Sequence, residues 1–227
     1  MHRHFEELLE EVGERISRMA GLVEQAIGRS MSALMDRNTD LARRVIEDDA
    51  VIDAEELELD RLCMEILATQ QVMASDLRYV TTAMKVNTDL ERIGDHAANI
   101  CERAIELNKE PELKPLIDLP AMAALAQTMV RDSLDAFIRR DAELARKVIR
   151  MDDALDDRME DSFRQLMRSM LADPSAVGRA LRLSFIAKYL ERIGDQATNV
   201  CEQVVYMAEA RVIKHPRLAE RPDDADE

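Results

Sequence analysis

Pairs of acidic residues spaced for one face of a helix are the feature of this sequence that most suggests chemistry. The stretch at residues 90–102 recurs at residues 190–202, and both copies contain the motif E-R-I-G-D. The glutamate and the aspartate of the motif are four positions apart. Because each helical residue turns about 100°, their carboxylates share one face of the helix. The pairs are Glu91 and Asp95 in the first copy and Glu191 and Asp195 in the second.

A second acidic pair precedes each copy of the repeat. Asp49 and Asp53 are four positions apart, and so are Asp152 and Asp156. Like charges at this spacing destabilise a helix by roughly 0.2–0.5 kcal/mol, and four carboxylates from neighbouring helices would raise one another's pKa. A divalent or trivalent cation would neutralise them, and oxygen ligands suit hard cations such as Mg²⁺, Ca²⁺, Mn²⁺ or iron. The spacing therefore predicts a cation-binding groove in each half.

The same acids also fit a plainer interpretation. A single pair of carboxylates usually marks a solvated helix face, and Arg92 and Arg192 are placed to neutralise their neighbours in surface ion pairs, which contribute about 0–1 kcal/mol each. Two pairs per half, repeated in both halves, favour the cation site. His96 is replaced by glutamine in the second copy, so we interpret it as a surface histidine. Cys101 and Cys201 border the apolar seam and are predicted to fill the core.

The composition favours helices and limits the classes of partner. Only 3% of the 227 residues are aromatic, and glycine and proline number six each, whereas strands and hairpins need aromatic residues and turn glycines. The net charge of −15 argues against nucleic acid as a partner, because the chain would repel its phosphates.

The sequence shows no signal peptide and no apolar run near the roughly 20 residues of a membrane span. It has an odd number of cysteines, which favours a reducing compartment. We expect a cytoplasmic protein, peripheral to the membrane only through its partners.

Heptad spacing of apolar residues predicts six long helices. In the third helix Val86, Leu90 and Ile93 follow steps of four and three, as in helices packed nearly parallel to their neighbours. Three prolines between residues 111 and 120 predict a linker. We therefore predict an all-α fold in which the six helices form two tandem antiparallel three-helix bundles related by an internal repeat. The predicted boundaries are 1–110 for the first bundle, 111–120 for the proline-rich linker, 121–212 for the second bundle and 213–227 for a disordered acidic tail; the fifth helix is predicted over 141–170.

Two such halves, each with D-x-x-x-D on its second helix and E-R-I-G-D-x-x-x-N on its third, resemble the PhoU family over nearly the whole chain. The resemblance implies a negative regulator of bacterial phosphate uptake and phosphate-starvation signalling rather than an enzyme. Its implied partners are the ATPase of a phosphate ABC transporter and a sensor histidine kinase, both met at the cytoplasmic side of the membrane. A homodimer is a further possibility that the resemblance leaves open. Some members of the family bind metal ions, including multinuclear iron clusters, at the paired acidic motifs.

The resemblance also implies which residues hold the metal ions, whose identity stays open among iron, manganese, magnesium and zinc. In the second half, the fifth helix is predicted to be three residues shorter between its acidic pair and the next turn. Asp153 and Asp157 therefore offer an alternative register. The implied ligands are Asp49, Asp53, Glu91, Asp95, Asp152, Asp156, Glu191 and Asp195, with Asn99, Asn199, Glu102 and Glu202 as weaker candidates.

Two other functions compete with this interpretation. A carboxylate-bridged di-iron enzyme or an iron-storage bundle would direct Glu-x-x-His motifs into the bundle, but glycine stands three positions after Glu91 and Glu191, and the acids are predicted to point outward. A helical adaptor without metal is the other alternative. Because the net charge is −15 and the sequence shows no basic pocket, we expect the metal-free protein not to bind free phosphate.

Overall fold

The computed structural model describes residues 2–113 and 118–214, and within these ranges every regular element is helical. The all-α prediction is therefore confirmed, with two halves of three helical arms each. The predicted tail lies outside the described residues except for Ile213 and Lys214. The helices are α1 (His2–Met35), α2 (Thr39–Thr69), α3 (Ala74–Leu107), α4 (Leu119–Arg139), α5 (Ala142–Ile149), α6 (Asp152–Ala172) and α7 (Val177–Glu209), with a 3₁₀ turn at Pro174–Ala176.

The helix predicted over residues 141–170 is interrupted. It forms α5 and α6, which are separated by Arg150 and Met151. At the break, the amide of Met151 donates to the carbonyl of Val148 at 2.8 Å, and the amide of Ala154 donates to Met151 at 3.1 Å. Both bonds span three residues rather than four, so a tight 3₁₀-type turn replaces one turn of regular helix. Both segments pack against α7, so they still act as one arm of the bundle.

The predicted shortening of this arm is wrong. α2 ends at Thr69 and α6 ends at Ala172, so both helices extend equally far beyond the aspartate pairs that they carry. The difference in length lies at the start of the third helix of each half, because Ala74 precedes Glu91 by 17 positions whereas Val177 precedes Glu191 by 14. The connections themselves are equally long, with four residues each at 70–73 and 173–176. In the second half, Asp173 caps the 3₁₀ turn by accepting a hydrogen bond from the amide of Ser175 at 2.9 Å.

The repeat helices α3 and α7 form the centre of the molecule. They run antiparallel, because Lys85 lies against Gln203 while Arg182, nearer the start of α7, lies against Glu106 near the end of α3. α1 and α2 pack against α3, whereas α4, α5 and α6 pack against α7. α1 also packs against α4, so one hydrophobic core runs through both halves.

The core orients the acidic motifs outward. Leu90 and Ile93, with their counterparts Leu190 and Ile193, are buried in this core. The acidic residues of E-R-I-G-D therefore emerge on the outer faces of α3 and α7, where α2 and α6 meet them. None of the described helices combines the length and hydropathy that a bilayer span requires.

Candidate functional site

The acidic pairs of α2 and α3 come together in the first half. Burial, followed by the charges of Asp53 and Asp95, raises the pKa of Asp49 to about 6. Burial, followed by the charges of Asp95 and other acids of the groove, raises the pKa of Glu91 to about 6. Carboxylates from two helices raise one another's pKa in this way only when they are close. The predicted juxtaposition of the two acidic pairs is therefore present in the structure.

A fifth carboxylate, which sequence reasoning missed, completes this group. Burial raises the pKa of Glu56, and the charges of Asp60, Asp53 and Asp95 raise it too. Glu56 is seven positions after Asp49, and because seven residues make nearly two helical turns, it returns to the same face. That heptad spacing is the signal that could have identified it. We call the following five residues the first acidic cluster: Asp49, Asp53, Glu56, Glu91 and Asp95.

The second half repeats the arrangement with α6 and α7. Burial, followed by the charges of Asp156 and Asp195, raises the pKa of Asp152 to about 6. One carboxylate oxygen of Asp152 and one of Glu191 are buried without a hydrogen-bond partner. Buried oxygens that lack a partner are costly and are the atoms that a bound cation would satisfy. The second acidic cluster consists of Asp152, Asp156, Glu191 and Asp195.

The glycine of E-R-I-G-D marks the closest approach of the paired helices. A Cβ atom at Gly94 would lie 3.0 Å from Oδ1 of Asp49 and 2.9 Å from Cδ1 of Ile52. A Cβ atom at Gly194 would lie 3.5 Å from Oδ1 of Asp152 and closer still to Leu155. The absence of a side chain at these positions lets each aspartate reach the helix that carries the other acids.

The same contacts fix the register of the second half. Asp152 stands over its glycine as Asp49 stands over Gly94, and Asp156 follows four positions later. The alternative pair, Asp153 and Asp157, is exposed to solvent. Asp156 is exposed as well, so it is the contact of Asp152 with Gly194 that favours the first of the two registers.

A lysine distinguishes the second cluster from the first. Lys188 donates a hydrogen bond to Glu191, and its charge also lowers the pKa of Asp156 and Asp195, both of which burial raises. Thr88 occupies the equivalent position of α3. The second cluster therefore already contains one internal cation.

The residues of both clusters fit a bound cation by chemistry, although no three Asp, Glu, His or Cys side chains converge into a preformed metal site within residues 2–113 and 118–214. Every donor is a carboxylate, the ligand that hard cations prefer. Two oxygens of the second cluster are buried without partners. A cation would draw the carboxylates together by side-chain rotation, because their helices already lie side by side.

Three of the four weaker candidates have other partners. Glu102 forms an ion pair with Arg103 at 3.1 Å. Asn199 and Glu202 both face Lys214, at 3.5 and 3.9 Å. Asn99 is half-buried on the turn that follows Asp95. These side chains lie beyond the acidic clusters along α3 and α7.

His96 is not the surface histidine that the sequence suggested. Its ring stacks on Tyr189 of α7, with 5.9 Å between ring centroids. Burial, followed by the charges of Arg192 and Arg92, lowers the pKa of His96 to about 4. The reason for the error is the antiparallel packing of α3 on α7, which the repeat alone did not reveal. Cys101 and Cys201 are buried with free thiols, as predicted.

Comparison with known proteins supports the duplicated architecture. The PhoU domain family matches residues 16–104 and 119–204. The phosphate-specific transport system accessory protein PhoU homolog of Aquifex aeolicus is 42% identical over 94% of this chain and 96% of the relative. The homolog of Pseudomonas aeruginosa is 36% identical over 99% of this chain and 93% of the relative.

Solved structures share the same fold. The crystal structure of PhoU from Pseudomonas aeruginosa superposes with a TM-score of 0.87 at 38% identity, covering 91% of this chain and 99% of that one. The phosphate transport system regulatory protein PhoU from Streptococcus pneumoniae superposes with a TM-score of 0.86 at 26% identity, covering 92% and 99%.

Proposed function

Because this chain belongs to the PhoU family, we propose that it is a negative regulator of phosphate uptake and phosphate-starvation signalling. Both halves match the family, and relatives that span nearly the whole chain are named as accessory proteins of the phosphate-specific transport system. We further propose that it binds the ATPase of a phosphate ABC transporter and a sensor histidine kinase at the cytoplasmic face of the membrane. The match of both halves is the observation that carries the proposal.

The acidic clusters are the proposed sites of metal binding. Asp49, Asp53, Glu91 and Asp95 would hold a cation in the first half, with Glu56 as an additional ligand. Asp152, Asp156, Glu191 and Asp195 would hold one in the second half. A bound cation, from the set iron, manganese, magnesium and zinc, supplies positive charge that offsets the repulsion among these carboxylates. The mutually raised pKa values support this assignment.

Free phosphate is not the proposed ligand of the metal-free chain. A groove between α3 and α7 contains Lys85, Arg92 and Lys214, which the sequence did not show to be neighbours, but Asp60 and Asp89 line it as well. Because the groove has mixed charge and the chain has a net charge of −15, a phosphate ion without a bound cation gains little electrostatic free energy on binding there. Phosphate sensing would then pass through a bound cation or a partner. Titration calorimetry of chelator-treated protein with inorganic phosphate should show no binding heat, and a tight complex would refute this point.

The regulatory role is tested by deleting the gene and following a phosphate-starvation promoter fused to a reporter. We expect reporter expression to become constitutive in phosphate-rich medium and to be repressed again when the full chain is restored. Normal repression in the deletion strain would overturn the proposed function. Pull-down of the transporter ATPase and of the kinase by the full chain tests the two partners separately.

The metal role is tested by elemental analysis of protein purified without chelator. Combined Asp95→Ala and Asp195→Ala substitutions should abolish the bound metal, whereas metal content near zero in the unsubstituted protein as well would favour a metal-free adaptor. The di-iron alternative gains no support from the comparisons, because the relatives are named as transport accessory proteins. Ferroxidase turnover after iron loading would revive it.

A further inference from the structure

Large apolar side chains line the outer surface of the second half. Three lie on α6 and three on α7, and within each helix they are four positions apart, so each set forms one row along its helix. Their exposed fractions run from 41% to 80%. We call these residues the apolar stripe: Phe163, Met167 and Leu171 on α6, and Val177, Leu181 and Phe185 on α7.

The two rows lie side by side and continue the second acidic cluster. α6 and α7 are joined by the tight turn at Pro174–Ala176, so Leu171 and Val177 flank the turn and both rows run away from it. Phe163 is seven positions after Asp156, and seven residues return a helix to within about 20° of the same direction. Leu181 stands in the same relation to Lys188. The stripe and the acidic cluster therefore form one surface with an apolar end and an acidic end.

The fold does not require this apolar surface, as the first half demonstrates. Counted from the matched acidic pairs and the matched repeats, the counterparts of Phe163, Leu181 and Phe185 are Asp60, Thr81 and Lys85. Lys85 donates to Gln203 at 3.0 Å, and Asp60 accepts from Asn87 at 3.1 Å. The same framework thus carries polar groups at three of the six positions, whereas Met64 and Leu77, the counterparts of Met167 and Val177, are apolar and exposed as well. Contiguous exposed apolar groups that the framework does not need are typical of interaction surfaces. The full set of counterparts is Asp60, Met64, Ala68, Leu77, Thr81 and Lys85.

We propose that the apolar stripe docks an amphipathic helix of a partner protein, oriented so that basic residues at one end of that helix lie over the second acidic cluster. Two parallel rows of apolar side chains present the groove that such a helix enters with residues spaced three and four apart. The charge of the surface selects the occupant, because the N-terminal half of α6 is strongly acidic. Glu160 and Asp161 are paired with Arg164, and the acidic residues that precede them on this helix are Asp152, Asp153, Asp156 and Asp157.

Charge also disfavours the other occupants. Two copies of a chain with a net charge of −15 would bring like-charged surfaces together, and an anionic lipid surface would repel the acidic end. The inference rests on the proposed function only in assigning the partner helix to the phosphate transport or signalling system. The surface itself can be tested without that system.

The test compares the full chain with a variant that carries first-half residues in the stripe. The variant is Phe163→Asp, Leu181→Thr and Phe185→Lys. It takes side chains that the same framework already accepts, and its net charge is unchanged because the added aspartate balances the added lysine. Leu57→Ser with Met73→Ser is the matched control, since these side chains are exposed and apolar but belong to the first half. Circular dichroism and thermal unfolding verify that all three proteins fold.

The probe is a fluorescent synthetic peptide of about 18 residues, long enough for roughly five helical turns. It carries leucines on one face and lysines at one end. We expect fluorescence anisotropy to show binding to the full chain and to the control, and at least about tenfold weaker binding to the stripe variant. A peptide with glutamate in place of the lysines should bind more weakly to every protein.

Equal binding of the probe by the folded stripe variant and by the full chain would overturn the inference. So would a stripe-dependent dimer in sedimentation velocity, or stripe-dependent binding to anionic vesicles, because each assigns the surface to a different occupant. Failure of the reporter experiment would overturn the proposed function and leave the peptide result intact. The two proposals therefore fail separately.

Discussion

Lys188 donates a hydrogen bond to Glu191 within the second acidic cluster, whereas its counterpart in the first half, Thr88, directs its hydroxyl to the carbonyl of Met84 at 3.3 Å. The two clusters arise from one repeated motif, yet their electrostatics differ. The first gains a carboxylate in Glu56, and the second gains an ammonium group in Lys188. An internal cation competes with an external one for the same carboxylates, so the halves should differ in metal affinity.

Exchanging the two residues should reverse this difference. We expect Lys188→Thr to raise the affinity of the second cluster for Mn²⁺ by roughly tenfold, because the competing ammonium group is removed. Thr88→Lys should lower the affinity of the first cluster by a similar factor. Titration calorimetry of chelator-treated protein resolves the two sites. Unchanged affinities in both variants would show that Lys188 does not compete for the site.

The E-R-I-G-D glycines should resist substitution where other glycines do not. An added methyl group at Gly194 meets Leu155 and Met129, and one at Gly94 meets Ile52 and Asp49. Overpacking of this kind typically destabilises a core by about 1–3 kcal/mol, against a gain of up to about 1 kcal/mol from alanine in a helix. We expect Gly194→Ala and Gly94→Ala to lower both stability and metal affinity.

Gly21 provides the matched control for this pair. It lies within α1 with no atom close to the position of an added Cβ, so Gly21→Ala should stabilise the protein by up to about 1 kcal/mol. Urea unfolding gives the three free energies. Stabilisation by all three substitutions would mean that the helices do not approach each other at the motif.

The metal-free protein should lose stability as the pH rises towards neutrality. The pKa values of Asp49, Glu91 and Asp152 are raised to about 6 in the folded state, above the value near 4 of an unfolded chain. The folded protein therefore binds protons more tightly, and this contribution to stability is complete below about pH 4 and is lost as the pH passes 6.

Unfolding of the chelator-treated protein in urea at pH 5 and pH 7 (about one unit on each side of these pKa values) measures this effect. Combined Asp49→Asn and Asp152→Asn substitutions should reduce the loss between the two pH values, and saturating Mn²⁺ should restore stability at the higher one. Glu47→Gln, an exposed change on the same helix, is the control. An identical pH dependence in the double variant and the unsubstituted protein would contradict the prediction.

Much of the fold follows from local pattern. The heptad seam of α3, with Leu90 and Ile93 buried as expected, reports only which side of a helix is covered, and that is enough to predict a helical bundle and outward-facing acids. The spacing of Asp49 and Asp53 likewise predicts a shared face, because one helix sets their directions.

Features that depend on contacts between helices were not predictable. His96 is half-buried because Tyr189 covers it from α7, and neither residue indicates the other in the sequence. Lys188 lies three positions before Glu191 on the same helix, so that pair could have been predicted from spacing, whereas the lowering of the pKa of Asp156 by Lys188 depends on how closely α6 approaches α7. The break before Asp152 replaces regular helix by two short-range hydrogen bonds, and nothing in the composition of that segment marks it.

Removal of a buried phenylalanine should destabilise the protein far more than removal of an exposed one. Phe137 of α4 is fully buried and stacks on Tyr79 of α3 with 5.6 Å between ring centroids. The guanidinium group of Arg140 also lies over the Tyr79 ring, 4.9 Å from its centroid. This cluster joins the two halves. We expect Phe137→Ala to reduce the free energy of unfolding by about 3–5 kcal/mol, through the lost burial and the cavity that remains.

Phe163 of the apolar stripe is 47% exposed, so Phe163→Ala should change stability by no more than about 0.5 kcal/mol. Both free energies come from urea unfolding under one set of conditions. The contrast matters for the docking proposal, because a docking residue must be exposed and must not be needed for folding. A large loss of stability in Phe163→Ala would place this side chain in the core and would remove it from the docking surface.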